Sequence, residues 1–224
     1  MKCAVLVFGQ YRELDIAVKS WKFKDVYECD YYVSTWDRTY TKPNKYDITY
    51  DMEVIPEMIT NHLPNAVVSI KPEMNSTCTG SKMVSHWKEC LNLMKNSLKT
   101  YDLVIMTRFD NFFNEIDWNT INPDLIYSFS CTIKEQFKNG RPTTLHDMFF
   151  IGKPEYIESL INRVGLNTTD NIHQYMSNIV NELNLPIDVL IDLEIALVRP
   201  NCRLLHPNDH NHYVIGSLHQ SWGN

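Results

Sequence analysis

Two unbroken apolar runs, Cys3-Ala4-Val5-Leu6-Val7-Phe8 and Leu103-Val104-Ile105-Met106, constrain this chain more than any other feature. Neither has the 3.6-residue spacing of an amphipathic helix or the alternation of a half-exposed strand, so each reads as a strand covered on both faces. Strands of that kind belong to parallel sheets, where a crossover segment returns the chain and helices cover the faces. Both runs stop on residues that a core cannot absorb: Gly9-Gln10-Tyr11-Arg12 after the first, Thr107-Arg108-Phe109-Asp110 after the second. Open α/β sheets bind ligands outside the carboxyl ends of their strands, which makes these two polar ends the first candidates for a site.

The intervening pattern fits the same architecture. Leu14, Ala17, Val18 and Trp21 recur at helical spacing, and Asp30 to Asp37 reads as a second strand with a polar end. Residues 38–50 read as a loop, Glu53 to Asn61 as a short helix and Ala66 to Ile70 as a third strand. Met83, Trp87, Cys90, Leu91, Met94 and Leu98 mark one face of a helix from Ser81 to Lys99, ahead of a fourth strand at Tyr101 to Thr107. Beyond residue 111, Leu125 to Ser130 and Asp147 to Ile151 read as strands, with helices at Pro154 to Arg163, Asp170 to Leu183 and Ile187 to Leu197. The expected fold class is therefore α/β: a Rossmann-like, mostly parallel central sheet flanked by helices, with a helical C-terminal lobe, all in a single domain.

Composition closes off several functions. The 224 residues are 44% hydrophobic and 21% charged, which is globular rather than disordered. With 21 Lys+Arg against 27 Asp+Glu, the net charge of −6 lacks the positive field of a nucleic-acid binder. No apolar run approaches the ~20 residues of a transmembrane helix. The six cysteines are scattered without a C-x-x-C pair, and we read them as reduced thiols of a cytoplasmic protein.

Residue chemistry singles out further positions. Asp110 can ligate Mg²⁺ or Mn²⁺ through a carboxylate, and Arg108 offers a planar fork to phosphate oxygens; an ion pair between them is the competing reading. Lys82 and His86 share one face of the long helix, opposite the Met83/Trp87/Leu91 stripe. Thr79-Gly80-Ser81-Lys82 has the wrong order for a phosphate loop, and no G-x-S-x-G elbow is present. Glu194 is an acid within a mostly apolar segment, and four of the eight histidines, His206, His210, His212 and His219, fall within fourteen residues of the tail.

Phe8-Gly9-Gln10-Tyr11-Arg12, Val33-Ser34-Thr35-Trp36-Asp37 and Val104-Ile105-Met106-Thr107-Arg108-Phe109-Asp110 together resemble small GT-A type glycosyltransferases of bacterial polysaccharide pathways and large DNA viruses. The resemblance extends over residues 3–152. It implies transfer of a sugar from a nucleoside-diphosphate sugar donor to a glycan or other hydroxyl acceptor, with residues 1–110 as the nucleotide-binding half and 111–224 as the acceptor-side half. Gly9, Gln10, Tyr11, Arg12, Asp37, Lys82 and Arg108 would then border the donor. The family holds Mn²⁺ or Mg²⁺ with an Asp-x-Asp motif, and here Arg108 stands at the first of those positions, so that either Asp110 is the one carboxylate ligand, with His212 as a C-terminal addition, or Arg108 replaces part of the metal's charge. Asp147, at the start of the apolar strand Met148 to Ile151, is the implied general base, and Glu194 the second candidate. The alternative from another class is a non-catalytic α/β module that binds nucleotides or glycans, for which neither Asp110 nor a nearby acid needs to act.

Overall fold

The computed structural model describes residues 1–39, 52–74, 79–113, 116–130, 137–138, 141–142, 145–165, 172–189, 195–199, 203–205 and 212–214. In chain order the first strands are β1 (Lys2–Phe8), β2 (Glu28–Trp36), β3 (Arg38–Thr39), β4 (Met52–Glu53) and β5 (Val67–Lys71), with helices α1 (Leu14–Ala17) and α2 (Pro56–Thr60) between them. Helix α3 (Thr79–Asn96) leads into β6 (Leu103–Arg108) and β7 (Asn111–Phe113). Then come β8 (Ile126–Ser130), β9 (Phe137–Lys138), β10 (Arg141–Pro142), β11 (Leu145–Gly152), α4 (Pro154–Arg163), α5 (Ile172–Glu182) and β12 (Ile187–Val189). The last strands are β13 (Ile195–Arg199), β14 (Arg203–Leu205) and β15 (His212–Val214).

Among the described residues the central sheet has seven strands in the order β12-β8-β11-β6-β1-β2-β5. The β5-β2-β1-β6 block is parallel throughout, β11 runs antiparallel to both β6 and β8, and β12 is parallel to β8. From β1 the chain builds outward through β2 to β5, and α3 then carries it back to place β6 on the other side of β1. The strand order reverses between β1 and β6, so their adjacent carboxyl ends form the topological switch point, the place where open sheets of this kind bind ligands.

Alternate residues of each central strand serve two cores. Cys3, Val5 and Val7 join Leu103, Ile105, Phe149 and Ile151 on one face, covered by Leu14, Trp21, Phe23 and Ile59. Ala4, Leu6 and Phe8 join Val104, Met106 and Phe150 on the other, covered by Trp87 and Leu91 of α3, Leu160 of α4 and Met176 of α5. This double burial is why β1 and β6 are apolar without a break. No described helix is long and apolar enough to cross a membrane.

Three expectations are corrected. The described ends of the segment Ile187 to Leu197 are strands and not helix: β12 adds to the edge of β8, and β13 pairs antiparallel with β7. A short apolar run satisfies either helix or strand, and here the available backbone partners decide it. The C-terminal lobe is consequently not helical, since β7, β13, β14 and β15 make a four-stranded antiparallel sheet, while α4 and α5 pack against the central one. Leu98 does not extend the α3 stripe; the helix stops at Asn96, and Leu98 takes φ 56° and is 91% exposed. The central sheet also draws β8, β11 and β12 from beyond residue 110, so both halves of the chain share its cores.

Candidate functional site

At the end of β1 the chain turns through Gly9, whose φ of +102° lies where an L side chain is strained although open space surrounds the position of a Cβ. The turn is pinned to β2 by Gly9 N–H donating to the Ser34 carbonyl at 3.1 Å and Tyr11 N–H to Thr35 Oγ1 at 3.1 Å. Tyr11 packs its ring edge-on against Phe109 at 5.5 Å and donates its hydroxyl to the Met58 carbonyl at 3.3 Å. Burial, reinforced by the charges of Asp15 and Glu13, pushes the Tyr11 hydroxyl up to about 12, so it remains a donor. Held in this way, the turn projects Gln10 and Arg12, and Arg12 Nη2 donates to Gln10 Oε1.

The end of β6 lies alongside, with Phe8 in register with Arg108. Arg108 clasps Asp110 in a two-point fork, Nε to Oδ1 at 2.9 Å and Nη2 to Oδ2 at 2.9 Å. Arg12 Nη1 stands 3.9 Å from the same Oδ2. The Asp110 side chain is 2% exposed, whereas those of Arg12 and Arg108 are 22% and 24% exposed. The carboxylate is therefore an internal brace, and the two arginine side chains are the more exposed part of the cluster.

Asn111, which sequence reasoning passed over, secures this turn from below. It is fully buried and donates Nδ2 to Thr107 Oγ1 at 3.0 Å and to the Met148 carbonyl at 2.8 Å, while its backbone carbonyl accepts from Trp21 Nε1 at 2.8 Å. One amide thus ties together β6, β7 and β11. Its only mark in the sequence is its place directly after Arg108-Phe109-Asp110.

The other expected residues are distributed unevenly. Asp37 follows the end of β2; its N–H donates to the Lys71 carbonyl at 2.8 Å and its carbonyl accepts from Val54 N–H at 2.8 Å. Neighbouring strands are ~4.8 Å apart, which puts the end of β2 about 10 Å from that of β6 along the same edge. Lys82, in the first turn of α3, is paired with Glu73. His86 does not lie on a solvated face: it is 2% exposed, bonded through Nδ1 to Ser34 Oγ at 2.8 Å and packed on Trp36 with ring centroids 4.0 Å apart. Burial, then the charge of Lys71, lowers its pKa to about 4 and keeps the imidazole neutral.

For Asp147 the backbone is described and the side chain is not. It lies on β11 two residues before Phe149, which pairs with Thr107, and because β11 is antiparallel to β6 that step back along the chain leads toward the switch-point edge. Glu194 lies outside the described residues. His212 opens β15, the strand farthest from β7 in the C-terminal sheet, about 14 Å across at ~4.8 Å per strand, and its side chain is likewise outside the description.

Asp110 does not fit as the ligand of Mn²⁺ or Mg²⁺. Both of its oxygens accept N–H groups from Arg108, and a cation drawn to it would sit against that guanidinium with a second one beside it. Among the described residues no group of three or more His, Cys, Asp or Glu side chains is placed to hold a metal ion.

Fold and site together define a mixed α/β protein whose mostly parallel sheet carries an arginine-faced cluster at its switch point. No family model matches the chain, and no curated protein matches it. Among solved structures, A197 from STIV is similar at 10% identity and a TM-score of 0.47, over 96% of this chain and 94% of that one.

Proposed function

We propose that this protein is a GT-A type glycosyltransferase, moving a sugar from a nucleoside-diphosphate sugar to a glycan or other hydroxyl acceptor. The observation that carries the reading is the gathering of Arg12 and Arg108 around buried Asp110 at the adjoining ends of β1 and β6. Guanidinium groups bind phosphate oxygens through charge-assisted, often two-point hydrogen bonds, and a diphosphate is the part of such a donor that this surface suits. The backbone position of Asp147 on β11, leading toward the same edge, supports an acid on the acceptor side.

In this reaction Asp147 takes the proton from the acceptor hydroxyl as its oxygen attacks the anomeric carbon. The bond from that carbon to the diphosphate breaks, and the nucleoside diphosphate leaves with the electron pair and is held by Arg12 and Arg108. One direct displacement inverts the anomeric configuration. We assign the activity to the cytoplasm, on the scattered cysteines.

Thermal-shift titration with UDP, GDP and CMP, followed by nucleotide release from a panel of sugar nucleotides, tests the proposal. Stabilisation by one nucleotide together with acceptor-dependent release is expected. Stabilisation without turnover on any donor would instead make the protein a binding module, and no stabilisation by any nucleotide would remove the donor site.

A further inference from the structure

We infer that the diphosphate site works without a divalent cation, the two arginines supplying the positive charge that an Asp-x-Asp motif would recruit as metal. The inference rests on the donor-site reading above and concerns how that site is charged. Three observations carry it. Arg108 occupies the position of the first acid and turns its fork inward onto the second, satisfying both Asp110 oxygens at 2.9 Å. Mg²⁺ requires oxygen ligands at about 2.1 Å, so a cation on Asp110 would be held against the Arg108 guanidinium that bonds the same two oxygens. Arg12 approaches from the neighbouring strand end to 3.9 Å, so that guanidiniums from two strand ends stand around the one buried carboxylate.

Exposure shows which of these charges a ligand meets. The Asp110 side chain is 2% exposed against 22% and 24% for the arginines, so an anion entering the switch point meets the arginines before the carboxylate. Asp110 then orients Arg108, as a carboxylate partner fixes the plane of a fork that carries five N–H donors. Gly9 lets the β1 turn bring Arg12 to this place, and Tyr11 on Phe109 braces the two strand ends against each other.

The test is calorimetric titration of the full chain with inorganic pyrophosphate and with UDP, once in EDTA and once in Mn²⁺. We expect binding in EDTA, with affinity in Mn²⁺ no more than about threefold tighter, and a loss of about tenfold or more in EDTA for Arg108→Gln and for Arg12→Gln. Arg12→Gln leaves the Arg108–Asp110 pair intact and gives the answer if Arg108→Gln fails to fold. A gain from Mn²⁺ larger than threefold overturns the inference while leaving the donor site standing. Binding in EDTA that the folded arginine variants leave unchanged also overturns it. Absence of binding in both conditions overturns it together with the donor-site reading.

Discussion

Asn111 Nδ2 donates 2.8 Å to the carbonyl of Met148, joining the turn that holds Asp110 to the strand that carries Asp147. Because the same amide also bonds Thr107 Oγ1 at 3.0 Å, the two sides of the proposed site share one buried anchor. Asn111→Ala should cost about 1 to 3 kcal/mol, the range for stranding buried polar partners. Asn111→Asp should cost more at neutral pH, since a carboxylate would face the Met148 carbonyl it now donates to, and should recover as acid protonates it. Urea unfolding at two pH values checks both; equal stability of all three proteins would show that the anchor contributes nothing.

The buried imidazole of His86 predicts a pH dependence. Its folded pKa of about 4 lies below the ordinary 6.5, so the unfolded chain takes up the proton first as pH falls. The stability associated with neutral His86 is complete above pH 6.5 and is lost as pH drops toward 4, by on the order of 3 kcal/mol. His86→Gln should show a shallower loss across that window in chemical denaturation. Parallel curves for wild type and variant would mean that His86 protonates in the folded state without cost.

Arg12 and Lys82 should behave differently, although the sequence suggested both as phosphate ligands. Arg12 stands at the Asp110 cluster, whereas Lys82 is committed to Glu73. Arg12→Ala is expected to weaken UDP binding by about 1 to 3 kcal/mol, the scale of a charge-assisted bond. Lys82→Ala should leave the calorimetric affinity within about twofold. A larger effect at Lys82 than at Arg12 would relocate the diphosphate toward α3.

For the chemistry, Asp147→Asn should retain donor binding and the fold but reduce turnover by about 10² to 10⁴, the usual contribution of a general base. The product should show inverted anomeric configuration by NMR coupling. Wild-type turnover in the variant would remove Asp147 from the mechanism, and a retained configuration would exclude the single displacement independently of the variant.

Much of the fold could be read directly from local pattern. The unbroken runs at Cys3–Phe8 and Leu103–Met106 form strands buried on both faces, as runs too short for a helix and bounded by polar residues suggest, and those polar residues lie at the sheet's carboxyl edge. The α3 stripe of Trp87, Cys90, Leu91 and Met94 was equally legible, since a 3.6-residue repeat produces a buried face wherever the helix docks.

Tertiary structure decided what depends on partners distant in sequence. Whether the segment after Ile187 became helix or strand turned on β8 and β7 offering open ladder edges, which no local window contains. His86 had the spacing of a solvated position, but the Ser34 hydroxyl and the Trp36 ring, some fifty residues earlier, provided a buried place for it. The turn Arg108-Phe109-Asp110 allowed either a metal ligand or an ion pair. The fork from Arg108, Arg12 arriving from β1 and the Asn111 anchor to Met148 selected the pair, because the orientation of a charged side chain follows from the charges and hydrogen-bonding groups that folding brings around it.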